Sequence, residues 1–327
     1  MRLLDEGERH ARESGDQISL ARLLTERASF TGEVEGADEV VSLVESPDAI
    51  RFADAALRMG MLYLWNGKVT RALELYQTLF ERLIPAGAIV NEPEGMVWYS
   101  LATFHAGDLD GADALADRLL EDATRRSVHT RQHALALKGF LQLARGAWDG
   151  VAETTQEITQ LVDANPDAGF CLLGASGCGY GAVANILAGQ QAERLDEVVE
   201  RMVPESTLIQ VSAVMVPKVM EGHRAASDDG LKAYAPGLRL ADRARAWDFS
   251  DLMPAIALTM LERWDELGPS LARLDLFTDG GSRVAAAVAA AIREEEAAAK
   301  GSPAPTHAEL RGLGCLGISE LLRFRPT

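Results

Sequence analysis

Tyr63-Leu64-Trp65-Asn66-Gly67, followed by Val69, Ala72, Leu73, Leu75, Tyr76, Leu79, Phe80 and Leu83, is the stretch on which the fold turns. From Val69 onward the apolar residues return to one broad face at the helical period, while Arg71, Glu74 and Glu81 take the remainder. That pattern is an amphipathic helix packed on neighbours. The glycine before it ends a first apolar helix without Cβ strain, and the small Ala72 lets a second, antiparallel helix come close.

The arrangement recurs. Thr103-Phe104-His105-Ala106-Gly107, Leu143-Ala144-Arg145-Gly146 and Leu187-Ala188-Gly189 each put a glycine after an apolar helix, at spacings of 40, 39 and 43 residues. Five positions after the glycine stand Ala72 and Ala112 in the first two copies, Val151 in the third and Arg194 in the fourth. Further amphipathic segments carry Ala112, Leu115, Ala116, Leu119 and Leu120; Val151, Ile158, Leu161 and Val162; and Leu195, Val198, Val199, Met202 and Val203. One such unit cannot bury both of its helices alone, so copies must stack. Alternating β-branched runs closed by Asn-Gly or Asp-Gly turns do not occur, which leaves a sheet core without support.

The expected fold is therefore all-α: a right-handed superhelical solenoid of about seven or eight antiparallel helix pairs. It spans residues 1–300 and is clearest at 49–203. A linker, Gly301-Ser302-Pro303-Ala304-Pro305, leads into a C-terminal capping segment, so that 301–327 stands apart.

The Leu/Phe-x-x-Gly-x-x-x-x-Ala pattern at Leu64 to Ala72 and Phe104 to Ala112 resembles the middle of a tetratricopeptide repeat. The longer period of roughly 40 residues is similar to the looser helical repeats of bacterial signalling ATPases, purine-nucleotide cyclases with helical tails, and large transcription activators. The tail from Thr306 to Pro326 resembles the extreme C-terminus of those cyclase and ATPase regulators, with Cys315 where an aromatic residue is common. The tryptophan and proline positions of a full repeat signature are not consistently filled. These resemblances imply a bacterial signalling or regulatory setting. They confer neither activity, because the chain shows no cyclase domain and no nucleotide-binding loop.

Composition narrows the function. Of 327 residues, 47% are apolar and 25% charged, the balance of a folded chain, and the formal net charge of −17 repels nucleic acid and anionic lipid. Three cysteines, Cys171, Cys178 and Cys315, make a disulfide framework improbable and a reducing, cytoplasmic setting the expectation. The start, Met1-Arg2-Leu3-Leu4-Asp5-Glu6, is not a signal-peptide pattern, and the small apolar run at 284–292 is far short of the roughly 20 residues of a membrane span. Low lysine use beside frequent arginine and alanine fits a GC-rich bacterial genome.

Constellations that carry chemistry are incomplete. Gly174-Ala175-Ser176-Gly177-Cys178-Gly179-Tyr180-Gly181 lacks the lysine of a phosphate loop, and Cys178 occupies the second glycine of a nucleophile elbow. It reads as close helix packing or as a flexible turn between repeats, with a helix beginning near Gly181. Cys171 and Cys178 are two helical turns apart with no His/Cys pair beside them. His129 and His133 are four apart, like half of a zinc-hydrolase helix, but Thr130 stands where the catalytic glutamate would be and the motif supplies no further ligand. Neither a metal nor a cofactor is expected.

Partner recognition is the preferred reading. Tyr63, Trp65, Trp98, Tyr99, Phe104 and His105 fall on first helices, whose concave face holds peptide segments in repeat proteins. Core packing is the competing role for each aromatic. Arg125, Arg126, His129, Arg131 and His133 form the most basic stretch, which reads as an ordinary solvent-facing helix start or as a local attraction for an acidic peptide or phosphate. The expected function is a non-catalytic protein–protein interaction or regulatory scaffold. The alternatives are a self-assembling homo-oligomer, and an enzyme with an acidic pocket around Asp228, Asp229, Asp248 and Asp251.

Overall fold

A computed structural model describes residues 1–326 except 32, 33, 35, 47, 124–126, 169, 170, 193, 203–215 and 223–251. Every regular element among the described residues is helical. Three helices open the chain: α1 (Arg2–Ser14), α2 (Gln17–Thr31) and α3 (Ala37–Val44). Four hairpins follow: α4 (Ala53–Trp65) with α5 (Val69–Thr78), α6 (Glu92–His105) with α7 (Leu109–Ala123), α8 (Val128–Arg145) with α9 (Trp148–Ala164), and α10 (Leu172–Leu187) with α11 (Leu195–Met202). A π-helical turn, Leu79–Leu83, extends α5. A C-terminal block holds α12 (Met253–Met260), α13 (Gly268–Asp279), α14 (Arg283–Ala299), α15 (Ala308–Gly312) and α16 (Leu316–Arg323). No helix among the described residues is long and apolar enough to cross a membrane.

The four glycines read as helix ends make one and the same turn. Gly67, Gly107, Gly146 and Gly189 all adopt positive φ, between 71° and 89°. In each, the glycine N–H donates three residues back, to Leu64, Phe104, Leu143 and Ile186, and the next N–H donates five back, to Tyr63, Thr103, Gln142 and Asn185. This closes the helix end by local chemistry alone, since only glycine takes that conformation without strain. The small positions behind the turns are sealed: Ala72, Ala112 and Val151 are 0% exposed. Close approach at Ala112 is visible in the Ser100 hydroxyl, which crosses from α6 to donate to the Ala112 carbonyl at 2.8 Å.

Successive first helices are joined by rings. Trp65 of α4 meets Trp98 of α6 edge-on at 6.0 Å, Phe104 of α6 meets Phe140 of α8 at 5.0 Å, and Phe140 meets Tyr180 of α10 at 5.8 Å. The glycine-rich stretch lies inside α10, which begins at Leu172 rather than near Gly181. A Cβ on Gly177 would lie 2.4 Å from Ile158 Cδ1, and one on Gly181 2.4 Å from Thr155, so these glycines let α10 settle on α9. Cys178 is buried in that packing, as expected of a structural thiol. A helical turn spans 216–220 around Pro217.

The C-terminal block does not simply extend the row of hairpins. It lies against their turns, with α13 at the Gly67 turn, Arg283 of α14 and Leu313 at the Gly107 turn, and α16 at the Gly146 turn. The segment read as a cap, 301–327, thus takes a lateral place, with α16 packed on α8, α12 and α14.

Candidate functional site

The residues singled out as a groove divide by what covers them. Trp98 and Phe104 are 1% exposed and Tyr63 is 3%, so these three belong to the core, with Tyr63 also at the base of a small pocket beside Arg71 and Glu74. Each large ring removes about 150–250 Å² from water when buried, which outweighs leaving it exposed for a partner. Trp65 is half-buried, with its carbonyl taking a hydrogen bond from Arg273 Nη2 of α13 at 2.6 Å.

His105 is partly buried against the same block. Its ring sits 5.0 Å from Phe277 and its Nδ1 shares a 3.0 Å hydrogen bond with Ser282 Oγ, the N-cap of α14. Burial, aided by the charge of Arg273, pushes His105 down to about 4 and keeps it neutral. The C-terminal block therefore contacts two of the expected groove residues, Trp65 through its carbonyl and His105 through its ring.

Tyr99, like Trp65, is only partly buried. It stacks between Tyr76 at 6.0 Å and Phe80 at 5.4 Å, where Phe80 lies on the π-helical turn. Burial holds the Tyr99 phenol above its ordinary range, with Glu81 adding to the shift. The connection from this turn to α6 carries Ile89, which is 94% exposed.

Of the arginines of the basic stretch, the structure describes Arg131. Arg125 and Arg126 lie outside the described residues. Arg131 is ion-paired with Glu157 of α9, so its charge is already answered within the chain. Asp228, Asp229, Asp248 and Asp251, the acidic-pocket alternative, also lie outside the described residues.

His129 and His133 face each other with ring centroids 4.2 Å apart, one exposed and the other buried. The third member of their cluster was missed by motif: Cys171, 38 positions beyond His133, brings its Sγ to within 4.8 Å of a ring nitrogen of each. Burial, with a contribution from His129, pushes His133 down to about 3, which leaves a neutral imidazole. Burial likewise pushes the Cys171 thiol up to about 11.

Two further polar sites escaped the sequence reading. Between α9 and α10 a groove of about 280 Å³ is lined by Thr155, Gln156, Thr159, Asn185 and Arg194, and Arg194 is paired there with Asp163 and Glu197. In the C-terminal block, His307 Nδ1 shares a 3.0 Å hydrogen bond with Ser319 Oγ, and His307 Nε2 lies 3.1 Å from Glu295, which Arg325 holds at 2.8 Å. The order Ser–His–Glu resembles a hydrolytic triad, but Ser319 is 3% and His307 1% exposed, so substrate has no access. The cluster instead clamps α14 to α16.

Comparison of the chain with protein-family models, with curated proteins and with solved structures returns no match.

Proposed function

We propose that this chain is a non-catalytic interaction module: a right-handed, tetratricopeptide-like superhelix of antiparallel helix pairs that holds a segment of a partner protein. Hairpin-on-hairpin packing with one recurring turn supports the architecture. The three thiols, none of them in a disulfide, fit a cytoplasmic setting.

The observation that carries the binding reading is the Tyr99–Phe80 stack. It is a preorganised aromatic platform with an outward edge, in a stretch that also exposes Ile89. Rings fixed by their neighbours lose little entropy on contact, so such a platform gives affinity to apolar side chains of a partner. Apolar contact is the attraction this platform supplies.

The test is a binding titration with a partner recovered through a photoreactive residue placed at Ile89. Ile89→Asp and Tyr99→Ala should each weaken binding, at unchanged circular dichroism. Wild-type affinity in both variants would put the docking surface elsewhere. Turnover of a nucleotide that co-purifies with the chain and stops on substitution of one of its own residues would remove the non-catalytic reading.

A further inference from the structure

The starts of α8 and α10 converge on one point. Ser127 caps α8 by accepting from the Thr130 N–H, so His129 and His133 stand one turn apart on the same face. Cys171 caps α10, its Sγ accepting from the Gly174 N–H at 3.2 Å. The two helix starts are tied directly, since the Cys171 N–H donates to Gln132 Oε1 at 2.9 Å. Gly174 permits this tie, because a Cβ there would lie 2.6 Å from the same oxygen. The outcome is two imidazoles and one sulfur with donor atoms all within 4.8 Å of one another.

We propose that His129, His133 and Cys171 form a site for one Zn²⁺ ion that links the start of α8 to the start of α10. Two nitrogens and a thiolate suit a borderline-soft cation, whereas Mg²⁺ and Ca²⁺ take oxygen donors. Metal–ligand bonds of about 2.0–2.3 Å at tetrahedral angles bring donor atoms to about 3.5 Å from one another. From within 4.8 Å of one another the donor atoms reach that spacing by small side-chain rotations, for which the exposed His129 ring has most room. On binding, the thiol proton leaves to buffer and the sulfur–zinc bond takes its place. Three protein ligands leave the fourth position for water or for a donor from a docked molecule. The neighbouring residues 124–126 and 169–170 are Thr, Arg, Arg, Gly and Phe, none a usual zinc ligand.

The experiment uses the full chain, stripped with a chelator and titrated with Zn²⁺ in competition with a chromophoric indicator, then with Co²⁺ as a spectroscopic probe. Wild type should take one equivalent, and Co²⁺ should show a sulfur-to-metal charge-transfer band. Cys171→Ser retains a capping oxygen and His129→Ala changes an exposed ring, so both should keep the wild-type circular dichroism. Cys171→Ser should abolish the band, and each variant should lose at least about 100-fold in Zn²⁺ affinity, the upper end of what even outer-sphere changes cost. A measurement on the unaltered protein stands beside these: Zn²⁺ should slow alkylation of Cys171, read by peptide mass. No charge-transfer band in wild type, wild-type Zn²⁺ affinity in either variant, or unprotected Cys171 would each overturn the site.

Discussion

Gly280 and Gly67 meet backbone to backbone. A Cβ on Gly280 would lie 1.7 Å from the Gly67 carbonyl oxygen, and the Gly280 carbonyl accepts from the Thr70 N–H at 3.0 Å. Gly317 repeats the contact one hairpin beyond the next, where its Cβ would lie 1.8 Å from the Leu143 carbonyl oxygen at the Gly146 turn. The C-terminal block is thus seated on the row of turns by glycines on both sides of the seam.

Gly280→Ala and Gly317→Ala should each destabilise the fold by about 1–3 kcal/mol, because a methyl group has no room against a fixed backbone. Gly268→Ala is the control, with open space around its Cβ. Urea midpoints of the three variants check this. A Gly280→Ala midpoint equal to that of Gly268→Ala would mean the seam is not closed in solution.

Trp98→Ala should cost about 3–5 kcal/mol, as for other large rings removed from a core. The ring is 1% exposed, meets Trp65 edge-on, and its Nε1–H donates to Glu94 at 3.1 Å. A loss below about 1 kcal/mol with an unchanged denaturant slope would place Trp98 at the surface after all.

Stability should fall as pH drops from about 6.5 toward 4. His105 titrates near 4 in the folded chain against 6.5 when unfolded, so in that window the unfolded chain takes up a proton that the folded chain refuses. The contribution is complete above pH 6.5, declines through the window and levels off below it, with a total of roughly 3 kcal/mol. Midpoints at pH 7 and pH 4.5 should differ less in His105→Asn than in wild type. An equal fall in both proteins would assign the acid sensitivity to other groups.

Arg325→Met should cost about 3 kcal/mol, since it leaves the buried Glu295 carboxylate facing His307 without its cation. Combining it with Glu295→Gln should recover part of that loss. If the double variant is less stable than the sum of the singles, the clamp does not work through charge.

The sequence by itself determined the helical class and the hairpin turns. Both are local properties: helical periodicity is read within one helix, and a left-handed glycine with its two backward hydrogen bonds needs six consecutive residues. Gly67, Gly107, Gly146 and Gly189 were accordingly legible, as was the close packing at Ala72 and Ala112. Tertiary structure alone decided which rings remain accessible. Trp98 and Tyr99 are adjacent and similar in kind, yet one is sealed against Trp65 and the other leans on Phe80 at the edge. It also decided that Ser282 of α14 would reach His105, 177 residues earlier, and that Cys171 would join His129 and His133. These contacts join segments whose separation along the chain carries no periodic signal. They follow from how whole helices settle on one another, which burial of area and fit of shape fix only once every element is in place.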